Sequence, residues 1–108
     1  MLEMLTPKKI ILDQLESRFK KLDLISVMLT YSISEKNSKC KGLKSDNTTL
    51  DIEVTKGENS LISKMLISKV NKAIDFEFLE CIIKIDILKK DISLYVRKLN
   101  SELVKIKV

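Results

Sequence analysis

Two rhythms of apolar and polar positions run along this chain. Leu12, Leu15, Phe19 and Leu22 recur at steps of three and four and form one stripe. Lys8, Asp13, Arg18, Lys20, Lys21 and Asp23 lie off it. Thr6 is a good N-cap, and Pro7 suits a first helical position. This predicts a helix to about Asp23. Val27, Leu29, Tyr31 and Ile33 then alternate with Met28, Thr30, Ser32 and Ser34, a strand pattern over 27–34. Leu50, Ile52 and Val54 alternate with Asp51 and Glu53, a second strand over 48–55. Paired, the two make a β-hairpin. The polar, basic stretch 35–47, with Gly42, reads as its long tip. Residues 56–59 read as a turn, with Asn59 or Ser60 capping the next helix.

The second half carries a heptad pattern. Cys81, Ile85, Leu88, Ile92, Tyr95, Leu99 and Ile106 fall in one seam, interrupted by Glu102. Read backwards, the seam continues through Phe78, Ile74, Asn71 and Ile67. This predicts a long helix from about Leu61 to Lys107. Residues 73–88 complicate it. Ile74, Phe76 and Phe78 alternate with acids, and Cys81, Ile83, Ile85 and Ile87 alternate in the opposite parity, as in a bulged strand.

Composition supports long helices. Outside Pro7, Gly42 and Gly57 there is no glycine or proline, so strong helix breakers are absent from 8–41 and 58–108. The same depletion fits an AT-rich genome, which enriches Lys, Ile and Asn and leaves one alanine, Ala73. That coding bias also accounts for the net charge of +5, because the lysines are spread along the whole chain.

Histidine is missing, which removes the usual proton shuttle and any Cys–His pair. The close acids read as solvated faces: Asp51 with Glu53 on a strand, Asp75, Glu77 and Glu80 beside Lys72 and Lys84. No glycine-rich loop can cradle a phosphate. Cys40 and Cys81 are too few for a disulfide scaffold or a zinc site and fit a reducing cytoplasm. Cys81 reads as a small core residue, and Cys40, among lysines, as a low-pKa thiol if exposed. Nothing resembles a signal peptide or membrane span. No internal repeat stands out, and the chain reads as a single domain, 1–108.

The expected fold is mainly α: a helical hairpin, bundle or coiled coil with a short β-hairpin, about 27–34 with 48–55, between its arms. The alternative is an α+β two-layer domain with a third strand at about 74–87. The expected function is a non-enzymatic structural or adaptor protein acting through helix-mediated self-association and protein–protein interaction. Such a protein would be a cytoplasmic homo-oligomer with an unidentified protein partner. Its interface would comprise Ile67, Ile74, Phe78, Cys81, Ile85, Leu88, Ile92, Tyr95 and Leu99, motivated by more apolar positions over 61–88 than one helix can cover. The less favoured reading is a small basic nucleic-acid-binding protein of the phage or plasmid type. It would contact phosphates through Lys36, Lys39, Lys41 and Lys44 and the C-terminal lysines. No catalytic residue, cofactor or metal is expected.

Overall fold

A computed structural model of the chain describes Phe19 and residues 21–107. Six antiparallel strands and one helix make up the described residues. The strands are β1 (Leu24–Ser32), β2 (Asn37–Lys44), β3 (Thr49–Ile52), β4 (Phe78–Asp86), β5 (Asp91–Lys98) and β6 (Leu103–Ile106). They form a single sheet in the order β3-β2-β1-β4-β5-β6. The helix, Lys56–Ala73, carries the chain from the edge strand β3 back to the centre at β4.

This overturns the helical hairpin and coiled coil. Residues 86–107, expected as helix, form the end of β4, then β5 and β6 with the turns before them. The reason lies in a coincidence of periods. Cys81, Ile85 and Ile92 satisfy a heptad seam, but they also fit a strand–turn–strand path in which every second residue faces one side. In the sheet, Cys81, Ile83 and Ile85 of β4 pair with Val96, Leu94 and Ile92 of β5. All six side chains are buried in the chain's own core. Leu88 and Leu99, seam members in the helical reading, fall in turns and are 75% and 57% exposed.

Two further expectations fail. The stretch 35–47 is not a long hairpin tip, because its centre is β2, inserted between β1 and β3. And helix breakers are not needed for turns here. Asp23, Lys36, Asn47, Lys90 and Ser101 all take positive φ, between 53° and 74°, without being glycine. The expected N-terminal helix from Thr6 lies outside the described residues except at its end, where Phe19 and Lys21 have helical backbone and Phe19 is buried.

The helix starts earlier than expected. Thr55 is the N-cap: its hydroxyl accepts from the Glu58 N–H, and the Glu58 carboxylate accepts from the Thr55 N–H. Ile62, Leu66 and Val70 form its buried stripe, one turn apart, and pack into the sheet's core face. Asn71, placed in the seam by the heptad reading, is exposed. Asn59 ties the helix to the first hairpin, accepting from Ser38 Oγ at 2.7 Å and donating to the Lys36 carbonyl at 3.3 Å.

An internal repeat, not visible in the residue types, is plain in the backbone. β1 and β4 begin at Leu24 and Phe78, β2 and β5 at Asn37 and Asp91, β3 and β6 at Thr49 and Leu103, a constant offset of 54 residues. The register repeats with it: Leu29 opposite Cys40 becomes Ile83 opposite Leu94, and Cys40 opposite Ile52 becomes Leu94 opposite Ile106. The irregularity between Leu24 and Ser26 recurs between Phe78 and Glu80. So do the left-handed residues, Lys36 with Lys90 and Asn47 with Ser101. Leu29 and Ile83 are counterparts and pair directly across β1 and β4. A pseudo-twofold axis therefore passes between them. Consistent with it, Ile33 N–H donates to the Leu79 carbonyl at 3.1 Å, and Ile87 N–H donates to the Ile25 carbonyl at 3.0 Å.

Candidate interaction surface

The two faces of the sheet are unequal. Inward positions, such as Val27, Leu29, Cys40, Ile52, Ile83, Leu94 and Ile106, belong to one apolar core with the helix. The other face carries Met28, Thr30, Lys39, Lys41, Leu43, Asp51, Ile82, Lys84, Tyr95, Arg97 and Lys105, which alternate with them along the strands. Strand pairing sets these residues in rows. One row reads Asp51, Lys41, Met28, Lys84 and Ser93 from β3 to β5. Its counterpart about the pseudo-twofold reads Lys105, Tyr95, Ile82, Thr30 and Lys39.

The apolar centre of this face is the pair Met28 and Ile82. Ile82 is only 6% exposed, yet it lies outside the core cluster. Its cross-strand neighbours Thr30 and Tyr95 flank it on the open face. Met28 is 42% exposed and lines two shallow depressions of about 490 and 710 Å³, both also bordered by Lys41. Charges surround this centre in opposite pairs. Arg97 Nε donates to Glu80 Oε2 at 2.9 Å across β4 and β5. Lys41 Nζ stands 3.9 Å from Asp51, and Lys84 Nζ lies 5.0 Å from the centre of the Tyr95 ring.

The sheet ends in β3 on one side and β6 on the other, and each bonds to a neighbouring strand on one side only among the described residues. The two edges are counterparts in the repeat, and their outward charges are opposite. Asp51 and Glu53 belong to the β3 edge; Lys105 and Lys107 stand at the equivalent places on the β6 edge. The sequence contained this signal as Leu-Asp-Ile-Glu-Val against Val-Lys-Ile-Lys-Val, but it had no meaning until both segments were known to be sheet edges.

The structure scatters the expected sites. Of the four lysines, Lys39 and Lys41 share the open face; Lys36 sits in the β1–β2 turn and Lys44 at the far end of β2. Eight residues of extended chain put about 26 Å between those two. Of the expected interface, Cys81, Ile85 and Ile92 are in the chain's own core; Ile67, Ile74 and Phe78 are half-buried and pack against it. Tyr95 is on the open face, and Leu88 and Leu99 are in turns. Nothing in the structure brings these nine residues into one strip.

Both cysteines are reduced and buried. Burial in the core, helped by the Glu80 charge, pushes the Cys81 thiol up from an ordinary 9.0 to about 12. Cys40 is buried on the core side of β2, so the exposure that the low-pKa reading required is not met. Among the described residues no group of three or more Cys, Asp or Glu could hold a metal ion, and no helix is long and apolar enough to cross a membrane. In comparison with known proteins, no family model, curated protein or solved structure matches the chain.

Proposed function

We propose that the chain is a non-enzymatic structural or adaptor protein that acts by association with other protein chains, its own copies first among them. The association runs through the sheet. The helix buries its apolar stripe in the core, so helix-mediated assembly is replaced. The observation that carries this reading is the pair of outer strands. Each offers a row of backbone donors and acceptors in the same extended geometry as the inner strands, the arrangement that strand addition uses.

Charge balance supports a protein partner over a polyanion. On the open face Lys39, Lys41, Lys84, Arg97 and Lys105 are interleaved with Asp51, Glu80, Asp86 and Asp91. A phosphate backbone laid across this face would meet acids as well as basic residues. The net charge of +5 is thus spread over the molecule and not gathered on this surface.

Sedimentation equilibrium of the full chain at micromolar concentration, at low and moderate salt, tests the reading. Concentration-dependent association is expected. A monomer at every concentration and salt would refute it.

A further inference from the structure

We infer that copies of this chain join head to tail, the β3 edge of one against the β6 edge of the next, in a continuous antiparallel sheet. The inference rests on the self-association proposed above and names its partner surface.

Geometry permits this join without rearrangement. Strand directions alternate across β3-β2-β1-β4-β5-β6, because every neighbouring pair is antiparallel. The two outer strands therefore run in opposite directions. A second copy placed beside the first by translation presents β3 to β6 in antiparallel orientation, with its core face on the same side. One register then satisfies both faces. With Ile52 opposite Ile106 of the next copy, Val54 falls opposite Val104 on the core side. Asp51 falls opposite Lys107 and Glu53 opposite Lys105 on the open side.

Charge selects this join from the three that the edges allow. Two β6 edges would set Lys105 and Lys107 against lysines. Two β3 edges would set Asp51 and Glu53 against acids. Like charges opposite each other oppose pairing, and opposite charges favour it. Lysine on an edge ordinarily protects a sheet from indiscriminate strand addition. Here it does so against one edge and invites the other. The acids do not need to be idle for this. Asp51 already has Lys41 at 3.9 Å, but the two side chains are 89% and 60% exposed, so that pairing is weak and shareable. Because the contact joins two different surfaces, repetition builds a closed ring if the rotation closes and a filament if it does not.

Two edge variants and their mixture test this. D51K/E53K makes both edges basic, and K105E/K107E makes both acidic; all four positions are exposed. Each variant alone should associate about tenfold or more weakly than the wild type. An equimolar mixture should recover association through alternation of the two. The fourfold variant D51K/E53K/K105E/K107E, with both edges swapped, should assemble like the wild type, which also shows that the substitutions leave the fold intact. If the wild type associates and each single-edge variant does so equally well, the edge pairing falls while self-association stands. A mixture that stays monomeric beside an associating wild type also overturns it. A monomeric wild type refutes the parent reading instead.

Discussion

Gly42 is where the packing can be challenged most sharply. It lies in β2 on the core face, opposite Val27. A Cβ there would stand 2.6 Å from Leu24 Cδ2, 3.0 Å from Leu24 Cδ1 and 3.1 Å from Ile52 Cδ1. Both neighbours are buried, so neither can swing into solvent. Two effects compete in Gly42→Ala. Replacing glycine in a strand returns about 0.5–1 kcal/mol of backbone entropy. Overfilling a packed core costs about 1–3 kcal/mol. The clash should win, with a net loss of about 0.5–2 kcal/mol. In urea unfolding, with a slope of about 1–1.5 kcal/mol/M for a chain of this size, the midpoint should fall by about 0.5–1.5 M. Leu24 is the cause, so a double-mutant cycle should show it. Leu24→Ala alone leaves a cavity and costs about 2–5 kcal/mol. In the Gly42→Ala background it should cost about 1 kcal/mol less, because the offending methyls are gone. A Gly42→Ala protein as stable as the wild type would refute the argument, and so would additive costs. The repeat offers a built-in comparison. Val96, the counterpart of Gly42, is fully buried, while Phe78, the counterpart of Leu24, is only half-buried.

Two predictions concern titration. Hydrogen bonds from the Thr48 hydroxyl and N–H, and the Lys44 charge, hold the Asp46 carboxyl below its ordinary 3.8. Such a group stabilises the fold above its unfolded pKa, and the contribution is lost as pH falls through the lower folded value. Asp46→Asn should keep the turn, because Asn100 accepts from the Glu102 N–H at the equivalent place. Its melting temperature, followed from about pH 7 to about pH 2, should lack that acid-side loss. Parallel profiles for the two proteins would sink the claim. For Cys81 the sign is reversed: its folded pKa is raised to about 12. The unfolded chain ionises first, so its contribution to stability is full below about pH 9 and declines as pH rises towards 12. Iodoacetamide near pH 8.5, read by mass spectrometry, should label Cys81 far more slowly in the folded chain than in urea, because the thiol is both buried and protonated there. Labelling at similar rates would show that the thiol is not protected.

The repeat clarifies which features the fold demands. Between residues 21 and 53 and their counterparts, the identical pairs are Ile33 with Ile87, Lys36 with Lys90, Lys44 with Lys98 and Ile52 with Ile106. The backbone nevertheless repeats down to its turns. Lys44 N–H donates to the Thr48 carbonyl and Lys98 N–H to the Glu102 carbonyl, both at 2.8 Å. What is retained is inward apolar character: Leu29 with Ile83, Cys40 with Leu94, Ile52 with Ile106. What has diverged is the outer surface, where Lys41 faces out at the place of Tyr95 and Asp51 at the place of Lys105. A core constrains volume and polarity only. An exposed face is free to become two different surfaces, and the opposed edges are the clearest case.

Local alternation by itself determined a good deal. It placed strands over 27–34 and 48–55, overlapping β1 and β3, because inward Val27, Leu29 and Tyr31, and then Leu50 and Ile52, are apolar while their neighbours, Met28 apart, are polar. It could not find β2. Only Cys40 and Gly42 are fully buried there, and the rest of Asn37–Lys44 is polar or half-exposed. After residue 80 it favoured helix where the chain forms sheet, because steps of four residues serve both periods and left-handed Lys90 and Ser101 gave no sign of turns. Tertiary pairing made the choice. A strand exists only when a neighbour takes its backbone hydrogen bonds, and for β5 that neighbour is β4, itself paired to β1 from the other half of the chain. The charges on the outer strands were always legible. That they lie on two opposite edges of one sheet depends on which segments lie side by side, a property of the folded chain that no local pattern encodes.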